Sequence, residues 1–65
     1  MVSTVRDNLV AAGVRLLEGG GVSALSARSV ATEAGTSTMA LYTHFGGMTG
    51  LLDAVAVDVF ARFTE

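Results

Sequence analysis

The sequence has no cysteine, no proline, no lysine and no tryptophan. Without cysteine there is neither a disulfide framework nor a thiolate metal site, and one histidine cannot build a metal site alone. The absence of thiols fits a reducing compartment, the cytoplasm. The lack of proline, with 51% hydrophobic residues, argues against disorder and for helices packed on a small core. No apolar run approaches the ~18 residues of a membrane span. The start also lacks a basic segment followed by an apolar stretch, so no membrane partner is expected. At 65 residues the chain is one domain at most, and a domain of this size buries only about 60% of its unfolded surface.

Positive charge is scarce as well. Four arginines face six acids, for a formal net charge of −2. Arg6, Arg15 and Arg28 balance Asp7, Glu18 and Glu33, so residues 1–47 are neutral. The deficit lies beyond Met48, where Arg62 meets Asp53, Asp58 and Glu65. Nucleic-acid binders usually carry a basic face, and here that face is missing.

What is present is helical periodicity punctuated by glycine. A first helix begins near Ser3 or Thr4, either of which can cap its first turn. Val5, Leu9, Val10, Val14, Leu16 and Leu17 form its apolar stripe. Gly19-Gly20-Gly21 ends it. No strand precedes these glycines and no Gly-Lys-Ser/Thr follows, so they do not form a phosphate loop. Gly46-Gly47-Met48-Thr49-Gly50 lacks the lysine of such a loop too. A second helix is predicted from a Ser26 cap to Ala34, with Val30, Ala31 and Ala34 inward. A third runs from Thr38 to His44, capped by Ser37 and anchored by Leu41 and Phe45. A fourth runs from Met48 onward, burying Leu51, Leu52, Val55, Val59, Phe60 and Phe63. Its apolar face continues with no stop signal near Glu65, so the sequence reads as an N-terminal fragment.

The segment between the second and third helices carries the specific signal. Two helices crossing steeply through a short turn need a residue with positive φ, and Gly35 occupies that place. The position one turn earlier must be small, and Ala31 is. Val30 and Leu41 fill the wedge, Ala34 keeps the elbow tight, and Ser37 satisfies the free N–H groups of the next helix. The fold class expected is all-α: a three-helix helix-turn-helix (homeodomain-like) bundle plus the start of a fourth helix.

This pattern resembles the N-terminal DNA-binding domain of the tetracycline-repressor (TetR) family. The likeness runs through Ser26, Arg28, Val30-Ala31, Ala34-Gly35, Ser37, the run Leu41-Tyr42-Thr43-His44-Phe45 and Leu51-Leu52-Asp53-Ala54-Val55. The resemblance implies a transcriptional regulator, a ligand-responsive repressor that binds double-stranded operator DNA. It implies a homodimer formed through a C-terminal domain, absent from this sequence, which also takes a small-molecule effector. Residues 1–47 would then be the helix-turn-helix domain and residues 48–65 a linking fourth helix. Carried over by position, the third helix enters the major groove, with Thr38, Met39, Ala40 and Thr43 at base edges. Tyr42 and His44 would hold phosphates, and Ser26, Ala27 and Arg28 would approach the backbone or groove edge. Where the family carries a lysine at the start of the fourth helix, this sequence has Met48, which supplies no charge to a phosphate.

Taken singly, these residues have plainer readings. Tyr42 is a half-buried aromatic, His44 a helix-end residue, Arg28 a solvated charge, and Met39 and Met48 are core fillers. Only the motif gathers Tyr42, His44 and Arg28 together. Arg15 and Arg62 are assigned to solvated faces, as is Arg6, a marginal candidate for a phosphate. The competing function is a protein-interaction module presenting Met39 and Ala40 to another protein without binding DNA. An enzyme is not expected, because there is no activated nucleophile pair, carboxylate pair or metal-ligand cluster. No cofactor is expected either.

Overall fold

The structure, a computed structural model, describes residues 4–63, the side chain of Arg62 excepted. Ser3, Glu65 and the surface assignment of Arg62 therefore lie outside the described residues. The chain forms α1 (Val5–Gly20), a single 3-10 turn (Val22–Ala24), α2 (Ala27–Ala34), α3 (Thr38–Phe45) and α4 (Met48–Phe63). No strand occurs among the described residues, and the all-α helix-turn-helix expectation holds.

Local chemistry sets the boundaries. The Thr4 hydroxyl accepts the Asp7 N–H at 3.1 Å, capping α1. Ser26 and Ser29 form a reciprocal capping box that opens α2. The Ser26 hydroxyl accepts the Ser29 N–H at 3.1 Å, and the Ser29 hydroxyl accepts the Ser26 N–H at 3.0 Å. The Ser29 hydroxyl also donates to the Ala24 carbonyl at 2.9 Å, which ties the 3-10 turn to the start of α2. That turn has no hydrophobic periodicity of its own, and so it left no trace in the sequence pattern.

The core is small and apolar. Leu9, Ala12 and Val14 of α1 meet Val30 of α2, Leu41 of α3, and Leu51 and Val55 of α4. No buried charged or polar residue interrupts it among the described residues. Two glycines permit its closest approaches. A Cβ on Gly13 would lie 2.8 Å from a Val55 methyl, so α1 and α4 touch backbone to side chain there. A Cβ on Gly50 would collide with the Phe45 carbonyl oxygen, so the first turn of α4 rests directly on the end of α3. The second contact helps to fix where α3 sits.

Three residues expected to be buried are not: Phe60 and Phe63 are 70% and 83% exposed, and Leu52 is exposed as well. Val5, on the apolar stripe of α1, is also exposed. Leu51, Val55 and Val59 recur every fourth residue and take the face turned to the rest of the fold. Leu52 and Phe60 fall about 100° round the helix from Leu51 and Val59. They rim an apolar groove with Leu17, Val22, Leu25 and Val59. Apolarity marked α4 as amphipathic without telling how wide a sector its neighbours cover. On α1 the buried positions include Ala12 and Gly13, which the stripe of larger side chains had passed over.

Candidate nucleic-acid interface

The elbow comes first, because it decides where α3 points. Gly35 adopts φ 73° and ψ 32°, the left-handed conformation. Its N–H donates to the Thr32 carbonyl at 3.1 Å, and the Thr36 N–H donates to the Ala31 carbonyl at 2.9 Å. This pair of bonds is a Schellman motif, which closes the last carbonyls of α2 while turning the chain. Two residues on, the Ser37 hydroxyl accepts the Ala40 N–H at 3.3 Å and starts α3. Ala31 and Val30 are buried beside the turn, and Leu41 is fully buried on the far side of it.

With Leu41 fixed inward and Phe45 half-buried against the core, helix geometry dictates the rest of α3. At about 100° per residue, Met39, Ala40 and Thr43 point away from the Leu41–Phe45 side. Tyr42 and His44 each lie about 80° from that inward direction, on opposite flanks. The burial pattern agrees for Met39, Tyr42, Thr43 and His44. Met39 is 75% exposed and Tyr42 54% exposed. Thr38, Thr43 and His44 are exposed, and Ala40 is half-buried. Six of the nine predicted contact residues thus share one projecting helix, with small and apolar groups along its outer line and polar tips on its flanks. The core-filler reading of Met39 fails on its exposure. For Met48, half-buried and packed against the core, that reading holds.

The three remaining residues begin α2, and the structure treats them differently. Arg28 is exposed and makes no ion pair with another described residue. Ser26 is exposed, but its hydroxyl is engaged with Ser29 in the capping box. Ala27 is half-buried and packs against the core. Of the three, only Arg28 presents an uncommitted hydrogen-bonding group.

Two features of the charges escaped the sequence. Arg15 and Glu33 form an ion pair at 3.0 Å that bridges α1 and α2, with both side chains about half exposed. Such a pair contributes up to about 1 kcal/mol, and it removes Arg15 from the free cations. The guanidinium carbon of Arg6 lies over the Phe45 ring, 5.2 Å from its centroid. Neither pairing is local in sequence, so no spacing rule could have disclosed it. Among the described residues there is no group of three or more potential metal ligands. No described helix is long and apolar enough to cross a membrane.

A sequence profile described as "Bacterial regulatory proteins, tetR family" matches residues 9–55. The tetracycline repressor protein class D of Escherichia coli is 35% identical over 57 residues, which cover 88% of this chain and 26% of that protein. The tetracycline repressor protein class H of Photobacterium damsela subsp. piscicida matches with the same identity and coverage. The chain therefore spans about a quarter of the length of these curated relatives. No solved structure matches it. The matched residues run from the core of α1, through the Gly35 elbow and α3, to Val55 of α4. With this fold and these matches, the chain belongs to the tetR family of bacterial regulatory proteins, as a helix-turn-helix DNA-binding domain of that family.

Proposed function

We propose that the chain reads an operator in double-stranded DNA as one half of a homodimeric, ligand-responsive repressor. The observation that carries this reading is the outer line of α3, Met39, Ala40 and Thr43, held opposite a fully buried Leu41 behind the Gly35 elbow. A projecting helix with this surface fits a B-DNA major groove about 12 Å wide. Thr38 and Thr43 hydroxyls can bond to several bases, and Met39 and Ala40 can meet a thymine methyl. Tyr42 and His44, on the flanks, reach phosphates through hydrogen bonds that position the protein without reading sequence. Arg28 adds the charged phosphate contact, with Ser26 and Ala27 lining the groove edge around it. Met48 offers only its backbone N–H there.

Residues 1–47 would supply the reading head. Residues 48–65 would link it to a ligand-binding and dimerising domain outside this sequence, which would set two heads about 34–36 Å apart. The named relatives are repressors about four times longer than the matched segment, which supports that arrangement. The proposed setting is the bacterial cytoplasm, and the proposed role is regulatory rather than enzymatic. The protein-interaction alternative, which the exposure of Met39 would also serve, is not favoured by the family match.

A mobility-shift assay with duplexes from the DNA flanking the chain's own gene tests this. The expected result is a retarded band that excess of the same duplex removes and a scrambled duplex does not. Absence of any shift, repeated with duplexes drawn from a random-sequence pool, would overturn it.

A further inference from the structure

We propose that Arg6, seated on the Phe45 ring, is a phosphate-binding residue of the DNA interface; this rests on the DNA-reading function of α3 proposed above. The argument begins with the four arginines. Arg15 is committed to Glu33, and the Arg62 side chain lies outside the described residues. Arg6 and Arg28 remain, both exposed and neither paired with a described carboxylate.

Arg6 differs from Arg28 in being held. Its guanidinium carbon lies over the Phe45 ring at 5.2 Å, within the ~6 Å range of a cation–π contact. That contact engages the charge with the ring face. It consumes no N–H, and Arg6 donates no hydrogen bond to another described residue. Five donors on a planar fork are left for an anion, the geometry that suits a phosphate. The ring also limits the side chain's freedom beforehand, which lowers the entropy lost on binding.

Place matters as much as chemistry. Phe45 is the last residue of α3 and follows Tyr42, Thr43 and His44 directly. The C-terminal end of a helix carries a partial negative charge, and that charge repels phosphate. A cation stacked on the final residue offsets that charge. α3 has eight residues, so it is about 12 Å long, close to the width of the major groove. Phe45 itself faces the core side of α3, so Arg6 would meet the phosphate wall past the end of this short rod, beside the His44 flank, and not along its outer line. Arg6 is brought there from the first turn of α1, thirty-nine positions away in sequence, by the packing of α1 on α3.

The test compares the unmodified chain with Arg6→Ala and Arg6→Lys. The probes are a duplex selected from a random pool by the unmodified chain and an unrelated duplex of equal length. Arg6→Ala should bind both about tenfold more weakly. Its slope of log affinity against log salt should be shallower by about 0.9 per domain. Arg6→Lys should restore the slope, because the charge returns. Thermal unfolding should show all three chains folded, since Arg6 is exposed. An Arg6→Ala chain with unchanged slope, or a loss confined to the selected duplex, overturns the proposal and leaves the DNA-reading function intact. Failure of the unmodified chain to bind any duplex overturns both.

Discussion

Gly35 and Arg28 show how differently single residues act on this fold. Gly35 has open space around its Cβ position, so nothing but backbone conformation demands glycine there. At φ 73° a β-branched side chain meets its own backbone. Gly35→Val should therefore cost about 1–3 kcal/mol. In a domain this small, each kcal/mol moves the melting temperature by roughly 4–8 °C. Thermal unfolding followed by helical circular dichroism checks it, and a melting temperature equal to the parent's would mean the elbow is not required. Arg28 presents the opposite case. Its side chain is exposed and unpaired among the described residues, so Arg28→Ala should leave stability within about 0.5 kcal/mol. It should still weaken duplex binding by about tenfold, the value of a charged hydrogen bond to phosphate. Unchanged binding by a folded Arg28→Ala chain removes it from the interface. The two variants separate damage to the scaffold from damage to the surface it carries.

At the scale of the element, α3 divides its labour by angle. Residues on the outer line should affect which sequence is bound, and residues on the flanks should affect how tightly any sequence is bound. Thr43→Val removes a hydroxyl from the outer line while keeping the shape. It should change the preferred base at one or two positions by about 1–3 kcal/mol. Tyr42→Phe removes a hydroxyl from a flank and should weaken all duplexes by a similar factor. Binding to a panel of single-base operator variants distinguishes the two patterns, and exchanged patterns would mean that α3 is rotated relative to the duplex. The sequence revealed much of this because its signals are local. Ala31, Gly35 and Ser37 stand at the offsets a tight elbow requires, and serine or threonine caps open α1, α2 and α3. Elements whose form depends on distant neighbours stayed hidden. The 3-10 turn is held by Ser29, and the exposure of Phe60 and Phe63 depends on how much of α4 its neighbours cover. The glycines at 13 and 50 read as weak spots in helices until the opposing Val55 methyl and Phe45 carbonyl are known. Among the predicted contacts, the α3 set came from the resemblance; what the sequence pattern made legible is the single helix, Thr38 to Phe45, that carries all six of them. The half-burial of Ala27 depends on how α2 docks, which no period describes; the Ser26–Ser29 box is local, but a serine where such boxes usually carry Glu or Gln hid it.

At the scale of the whole molecule the shortage of positive charge becomes measurable. A chain with no lysine and four arginines carries few cations to neutralise phosphates. Glu33 claims Arg15, so each domain presents Arg6 and Arg28 as its described free cations. Each phosphate neutralised contributes about −0.9 to the slope of log affinity against log salt. Two domains with two such arginines each give a slope of about −4, whereas eight contacts would give about −7. Binding would then depend mainly on hydroxyls, backbone N–H groups and the fit of α3, whose contributions salt barely screens. Such a domain should keep more of its affinity at high salt than a lysine-rich repressor, and should gain less from low salt. Fluorescence anisotropy of a labelled duplex across a salt series measures the slope. A value as steep as −7 would require cationic contacts that this surface does not present, and would put the bound face elsewhere on the molecule.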